Sequence, residues 1–184
     1  MKDTSPLDGI PHFETFLTEF CLDEVANKTI SLIKPDWDIK TLERLSFSEG
    51  TSNKIFGFRS TAGQRTDDIL LFRINGENTE LLRDSKLELE SFALLTENCL
   101  APKLFCTFEN GFCYGYQPGS TINSTHLQED KFIRETAVLI AKLHSVQPNK
   151  RSLDKTGGKQ AKLFDDLKQY CGLLKDDFKL QMKR

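Results

Sequence analysis

Apolar and polar residues follow two rhythms along this chain. Between Trp37 and Tyr116, apart from residues 81–98, the apolar stretches are short and broken by small polar residues, the pattern of strands and hairpins. On either side, apolar residues recur at three- and four-residue spacing, the pattern of helices. Phe13, Phe16, Leu17 and Phe20 predict an N-terminal helix or two over residues 13–32, ending before Pro35, after a polar leader at 1–10 expected to be disordered. Trp37 is expected to anchor the first strand in the core. Ile69-Leu70-Leu71-Phe72-Arg73-Ile74, closed by Asn75-Gly76, reads as a buried strand, and residues 81–98 read as a helix. Asn110-Gly111 between two apolar runs predicts a hairpin, and Pro118-Gly119 ends the sheet. A linker with short helical content follows at 120–129, then a helix over 130–145 with Phe132, Ile133, Val138, Leu139 and Leu143 on its apolar face. Residues 147–160 read as a mobile connector and 160–182 as helical by period.

Arg73 interrupts the most apolar strand. A guanidinium keeps its proton and is almost never fully buried without an anionic partner. Glu88, on the next predicted helix, could supply that partner and complete a phosphate clamp. Alternatively the arginine stem packs while its head reaches water. Helical period sets Glu88 beside an inward stripe flanked by Leu87 and Leu94, and turns Glu90 outward with Glu97. Upstream, the small polar residues from Ser46 to Lys54 form a hairpin tip whose N–H and hydroxyl groups could face an anion.

The order is hairpin, strand with Arg, helix with Glu, hairpin, Pro-Gly hinge, helices. Thr51-Ser52-Asn53-Lys54, Leu71-Phe72-Arg73-Ile74-Asn75-Gly76, Thr79-Glu80-Leu81-Leu82, Ala101-Pro102-Lys103-Leu104 and Asn110-Gly111-Phe112-Cys113-Tyr114 carry a resemblance. The chain resembles the choline/ethanolamine kinase family, and within it the ethanolamine kinases most, over roughly residues 20–147. The resemblance implies an α+β, protein-kinase-like fold: an antiparallel-sheet small lobe with one helix, then the first helices of an incomplete large lobe. The implied divisions are a leader and helix at 1–36, the small lobe at 37–119, and the start of the helical lobe at 120–184.

The resemblance also implies ATP and magnesium as cofactors and transfer of the γ-phosphoryl to ethanolamine, a small-molecule substrate, as the first step toward phosphatidylethanolamine. Thr51, Ser52 and Asn53 fall where the family's loop covers the ATP phosphates. Arg73 falls on the strand arginine that contacts phosphate, and Glu88 on the carboxylate behind it. Tyr116, Gln117 and Pro118 fall on the hinge, where backbone groups hold adenine. Three departures mark a divergent member: Asn75 for the usual tyrosine, Arg83-Asp84-Ser85 for Asp-Arg, and Gly115 for a common hinge glutamate.

A larger departure concerns the chemistry. Phosphoryl transfer needs a carboxylate to orient the alcohol and ligands to hold magnesium. The family carries a His-Asn-Asp segment and a later acidic metal site, but His12, His126 and His144 are not followed by Asn-Asp. His144 fits packing or a helix C-terminus better than catalysis. Asp165-Asp166 and Asp176-Asp177 read as a solvated helix face, so the magnesium ligands are expected to be absent from this chain. The chain alone is therefore expected to be inactive. It could be a piece of a full enzyme, a short non-catalytic module that binds or regulates, or a portion of a choline-preferring kinase.

Composition narrows the classes. The formal charge of −2 and pI near 6.0 give no basis for nucleic-acid binding. No run approaches the roughly 18 apolar residues of a membrane span, and a cytoplasmic location is expected. The five cysteines lack zinc spacing and read as reduced, small hydrophobes. An uncovered apolar face on the 130–145 helix could drive self-association.

Overall fold

The computed structural model describes residues 7–47, 53–62, 68–76, 84–147 and 163–173. The chain divides into two units, one covering residues 4–147 and the other containing a separate helix, Leu163–Leu173. In the larger unit the elements run β1 (His12–Phe13), α1 (Leu22–Ile33), β2 (Leu42–Phe47), β3 (Asn53–Ser60), β4 (Ile69–Asn75), α2 (Ser85–Glu97), β5 (Leu104–Phe108), β6 (Gly111–Gly115) and α3 (Asp130–Ser145). The helix Leu163–Leu173 is α4.

One six-stranded sheet has the order β1-β5-β6-β4-β3-β2. Every adjacent pair is antiparallel except β1 with β5. Alternation along the central strands divides the side chains between two faces. Phe56, Phe58, Leu70, Phe72 and Cys113 point to one face, where Leu22, Ala26 and Ile30 of α1 complete the main core. The other face carries Phe112 and Leu104, which meet Ala93 of α2 with Leu89, Phe92 and Tyr114 around them. Central strands buried on both faces read as continuous apolar runs, which is why β4 is almost wholly hydrophobic.

The N-terminal region departs from the helix expected over residues 13–32. Helix forms only from Leu22 to Ile33, with Asp23 and Glu24 in its first turn. Residues 11–17 bond to the sheet and its hairpin instead. Thr107 N–H donates to Pro11 O (2.9 Å) and Glu109 N–H to Thr15 O (3.2 Å). Asn110 grips Leu17 from both sides, accepting from its N–H at 2.7 Å and donating to its carbonyl at 2.9 Å. These bonds occupy backbone groups that a helix would need. Phe16 and Phe20 consequently stand exposed, while Leu17 is 1% exposed in the main core. The expected disorder of the leader is also corrected for residues 7–10, because Leu7 and Ile10 pack on the α2 core.

Trp37 packs partly buried against the main core, as expected, with the Lys34 ammonium 5.4 Å from its ring. α2 starts on Asp84, whose carboxylate accepts from Leu87 N–H at 3.0 Å. It ends with Leu100 N–H donating to Leu95 O and Cys99 N–H to Thr96 O. That is a Schellman turn, with Cys99 at φ 56° in the left-handed position usually held by glycine. All five cysteines are free; Cys106 and Cys113 are buried cross-strand partners, whereas Cys99 and Cys171 are exposed rather than packed as small hydrophobes. α3 matches its expected span, and His144 lies exposed in its last turn.

Candidate functional site

The face of the sheet that carries α2 holds the candidate site. Arg73 lies near the end of β4, paired with Ile55 on β3 and Phe112 on β6. Its side chain is 14% exposed, and its Nη2 is 2.8 Å from Glu88 Oε1 in the first turn of α2. The guanidinium also sits 5.1 Å from the Phe112 ring centroid. A strand cation and a helix carboxylate therefore meet, as the clamp reading requires. The contact is a charge pairing rather than a hydrogen bond, for Nε and Nη2 are both buried with no hydrogen-bond partner. Those N–H groups fit an anion that brings acceptor oxygens.

Asn53 and Asn75 extend the polar patch. They are cross-strand partners at the same end of the sheet, and alternation puts both on the face of Arg73. Each has a buried Oδ1 without a hydrogen-bond partner. Thr51 and Ser52, expected beside Asn53, fall outside the described residues.

Toward the other end of β4 the same face becomes apolar. Gly57 lets the Phe47 ring lie on the strand, since a Cβ there would sit 2.8 Å from the ring, and Ile69 packs alongside. Tyr116 follows β6, its ring centroid 6.1 Å from that of Phe47. Its N–H donates to Ile69 O at 3.0 Å, so the backbone donor of this expected hinge residue is already used in closing the sheet. Gln117 and Pro118 are exposed. Arg73 lies four residue steps along β4 from Ile69, about 13 Å at the usual rise. The face thus runs from an aromatic end to a cationic end.

Tyr114 lies between α2 and the sheet, where burial pushes its phenol above the ordinary range and the Arg73 charge pulls it partly back. It stays neutral at pH 7 and adds no negative charge beside Arg73. Among the described residues no group of three or more His, Cys, Asp or Glu converges to hold a metal ion.

One expectation about α2 is overturned. Glu90 does not face outward; it is 8% exposed, and the buried side of the helix centres on Glu90 and Ala93. Glu97 alone of that pair is exposed. Leu87, Leu89, Phe92, Leu94 and Leu95 surround much of the helix, so their spacing gives little information on its rotation. Neither the Asn53–Asn75 pairing nor the close approach at Gly57 is foreseen from the sequence. A polar residue closing an apolar strand was the available signal for Asn75.

A mostly antiparallel sheet with a strand arginine paired to a helix carboxylate, followed by helices, is α+β and protein-kinase-like. The fold matches a choline kinase from Cryptosporidium parvum (TM-score 0.58, 21% identity, 69% of this chain and 36% of that one). It also matches a Plasmodium vivax ethanolamine kinase (TM-score 0.62, 19% identity, 77% of this chain and 38% of that one). In sequence, the profile described as Choline/ethanolamine kinase matches residues 45–184. Ethanolamine kinase 2 of Mus musculus is 32% identical over 172 residues, 94% of this chain. A probable ethanolamine kinase of Nematostella vectensis is 37% identical over 139 residues, 76% of this chain. The chain belongs to the choline/ethanolamine kinase family. It spans 43% and 40% of the length of these two relatives.

Proposed function

We propose that residues 37–119 are the ATP-binding lobe of a phosphotransferase that moves the γ-phosphoryl of ATP to the hydroxyl of ethanolamine. The reading rests above all on the 2.8 Å pairing of Arg73 with Glu88, which leaves buried cationic N–H groups without acceptors in a chain of this family. Arg73 would bind phosphate oxygens, with Thr51, Ser52 and Asn53 covering them, while Glu88 fixes the guanidinium. The carbonyls of Tyr116 and Pro118 and the backbone of Gln117 would supply contacts to adenine at the aromatic end. Magnesium, bound with the nucleotide, would neutralise phosphate charge. Its protein ligands and the carboxylate that orients the alcohol are expected in a helical lobe of which residues 120–184 form the beginning.

A second reading follows from α3, where Ile133, Val138, Leu139, Ile140 and Leu143 are 45–55% exposed. Under it the chain is a non-catalytic module that docks through this face. Both readings are tested by incubating the purified chain with ATP, magnesium and ethanolamine or choline. The first predicts ATP binding that Arg73→Ala weakens, with no phosphoethanolamine or phosphocholine formed by this chain alone. Turnover that survives further purification would overturn the assignment of the chemistry to residues beyond those present; absence of ATP binding would favour the docking module.

A further inference from the structure

We propose that Asn75, with Asn53, forms an acceptor pair that favours the metal-loaded form of a nucleoside triphosphate over the metal-free form. The inference rests on reading this face as a nucleotide site. The two asparagines are directly paired across β3 and β4, and Asn75 lies two positions from Arg73 on the same face. Asn53 Oδ1, Asn75 Oδ1, Arg73 Nε and Arg73 Nη2 are all buried without hydrogen-bond partners. Such groups are costly in a folded protein, and native structures keep few of them. Here two acceptors and two donors fall on three neighbouring residues. A ligand that satisfies them must bring both acceptors and donors.

A metal-free triphosphate brings acceptors only. It suits Arg73 but sets its negative oxygens against the negative ends of two amide dipoles. An ammonium brings donors only and is repelled by Arg73. Magnesium on a triphosphate retains several waters, whose O–H groups are polarised donors. The metal-loaded triphosphate therefore presents phosphate oxygens to Arg73 and water protons to the two carbonyls. The amides accept from the hydration shell and do not ligate the metal.

The test is calorimetric titration of the chain with ATP plus magnesium, and with ATP plus EDTA. Wild type, Asn75→Ala and Asn75→Asp are compared, with circular dichroism checking the fold. Asn75→Ala should lose roughly threefold to tenfold in affinity for the magnesium form, the scale of one net hydrogen bond, and lose none for the metal-free form. Asn75→Asp should retain the magnesium form and bind metal-free ATP more weakly. Equal losses in both forms would mean that the amide donates to phosphate, and would overturn the proposal. So would unchanged preference in Asn75→Ala with binding intact, which leaves the nucleotide reading standing. If Asn75→Ala fails to fold, Asn75→Asp decides: equal effects on both forms contradict the proposal. Wild type binding neither form would overturn the nucleotide reading and this proposal with it.

Discussion

Arg73 Nη2 and Glu88 Oε1 lie 2.8 Å apart, yet neither Nη2 nor Nε of that guanidinium makes a hydrogen bond. The carboxylate supplies the counter-charge that a strand cation needs and holds it from one side. It does not use up the N–H groups that would recognise an oxyanion. A fully hydrogen-bonded ion pair would be a structural brace. This one is a held cation with directional donors left over.

Removing the guanidinium should therefore weaken nucleotide binding more than folding. Arg73→Ala is expected to cost about 1.5–3 kcal/mol of ATP binding, the range of a charge-assisted hydrogen bond. Arg73→Lys should recover only part, because a point charge cannot reproduce the planar fork. Calorimetric titration checks both; wild-type affinity in a folded Arg73→Ala chain would contradict the assignment.

The N-terminal segment should depend on one amide. Asn110→Ala deletes the acceptor for Leu17 N–H and the donor for its carbonyl, and should destabilise the larger unit by about 1–3 kcal/mol. Asn110→Asp keeps the acceptor and should fall between. Urea unfolding measures the difference, and an unchanged midpoint for Asn110→Ala would show that the clamp contributes nothing.

At the end of α2, Cys99 occupies a left-handed position with φ 56°. Relief of side-chain strain on Cys99→Gly is partly offset by the greater freedom of glycine in the unfolded chain. A net gain of about 0.5–1 kcal/mol is expected, read as a raised thermal midpoint. A lowered midpoint would mean that Cys99 contributes contacts worth more than its strain.

The parts of the fold legible in the sequence were those set by strong local signals. An arginine in an apolar run, Asn-Gly between strands and the spacing over residues 130–145 each point to one local structure. The segment at 13–20 was illegible for the opposite reason. Its apolar spacing suits a helix, but Asn110 and β5, some ninety residues away, take its backbone bonds. Glu88 was legible through the family pattern, while the burial of Glu90 was not, because apolar residues surround α2 too evenly to fix its rotation. Asn53 and Asn75 become a pair only through the β3–β4 register, which no spacing along the chain reveals.

The most direct test of the account is a double-mutant cycle on ATP affinity that pairs Arg73→Ala with Glu88→Ala and, separately, with Glu90→Ala. If Glu88 holds Arg73 for phosphate, their effects should be non-additive by about 1–2 kcal/mol, since the second change removes an arrangement already lost. Arg73 and Glu90 should add to within about 0.5 kcal/mol. Coupling of Arg73 to Glu90 with none to Glu88 would contradict the clamp on which the nucleotide reading stands.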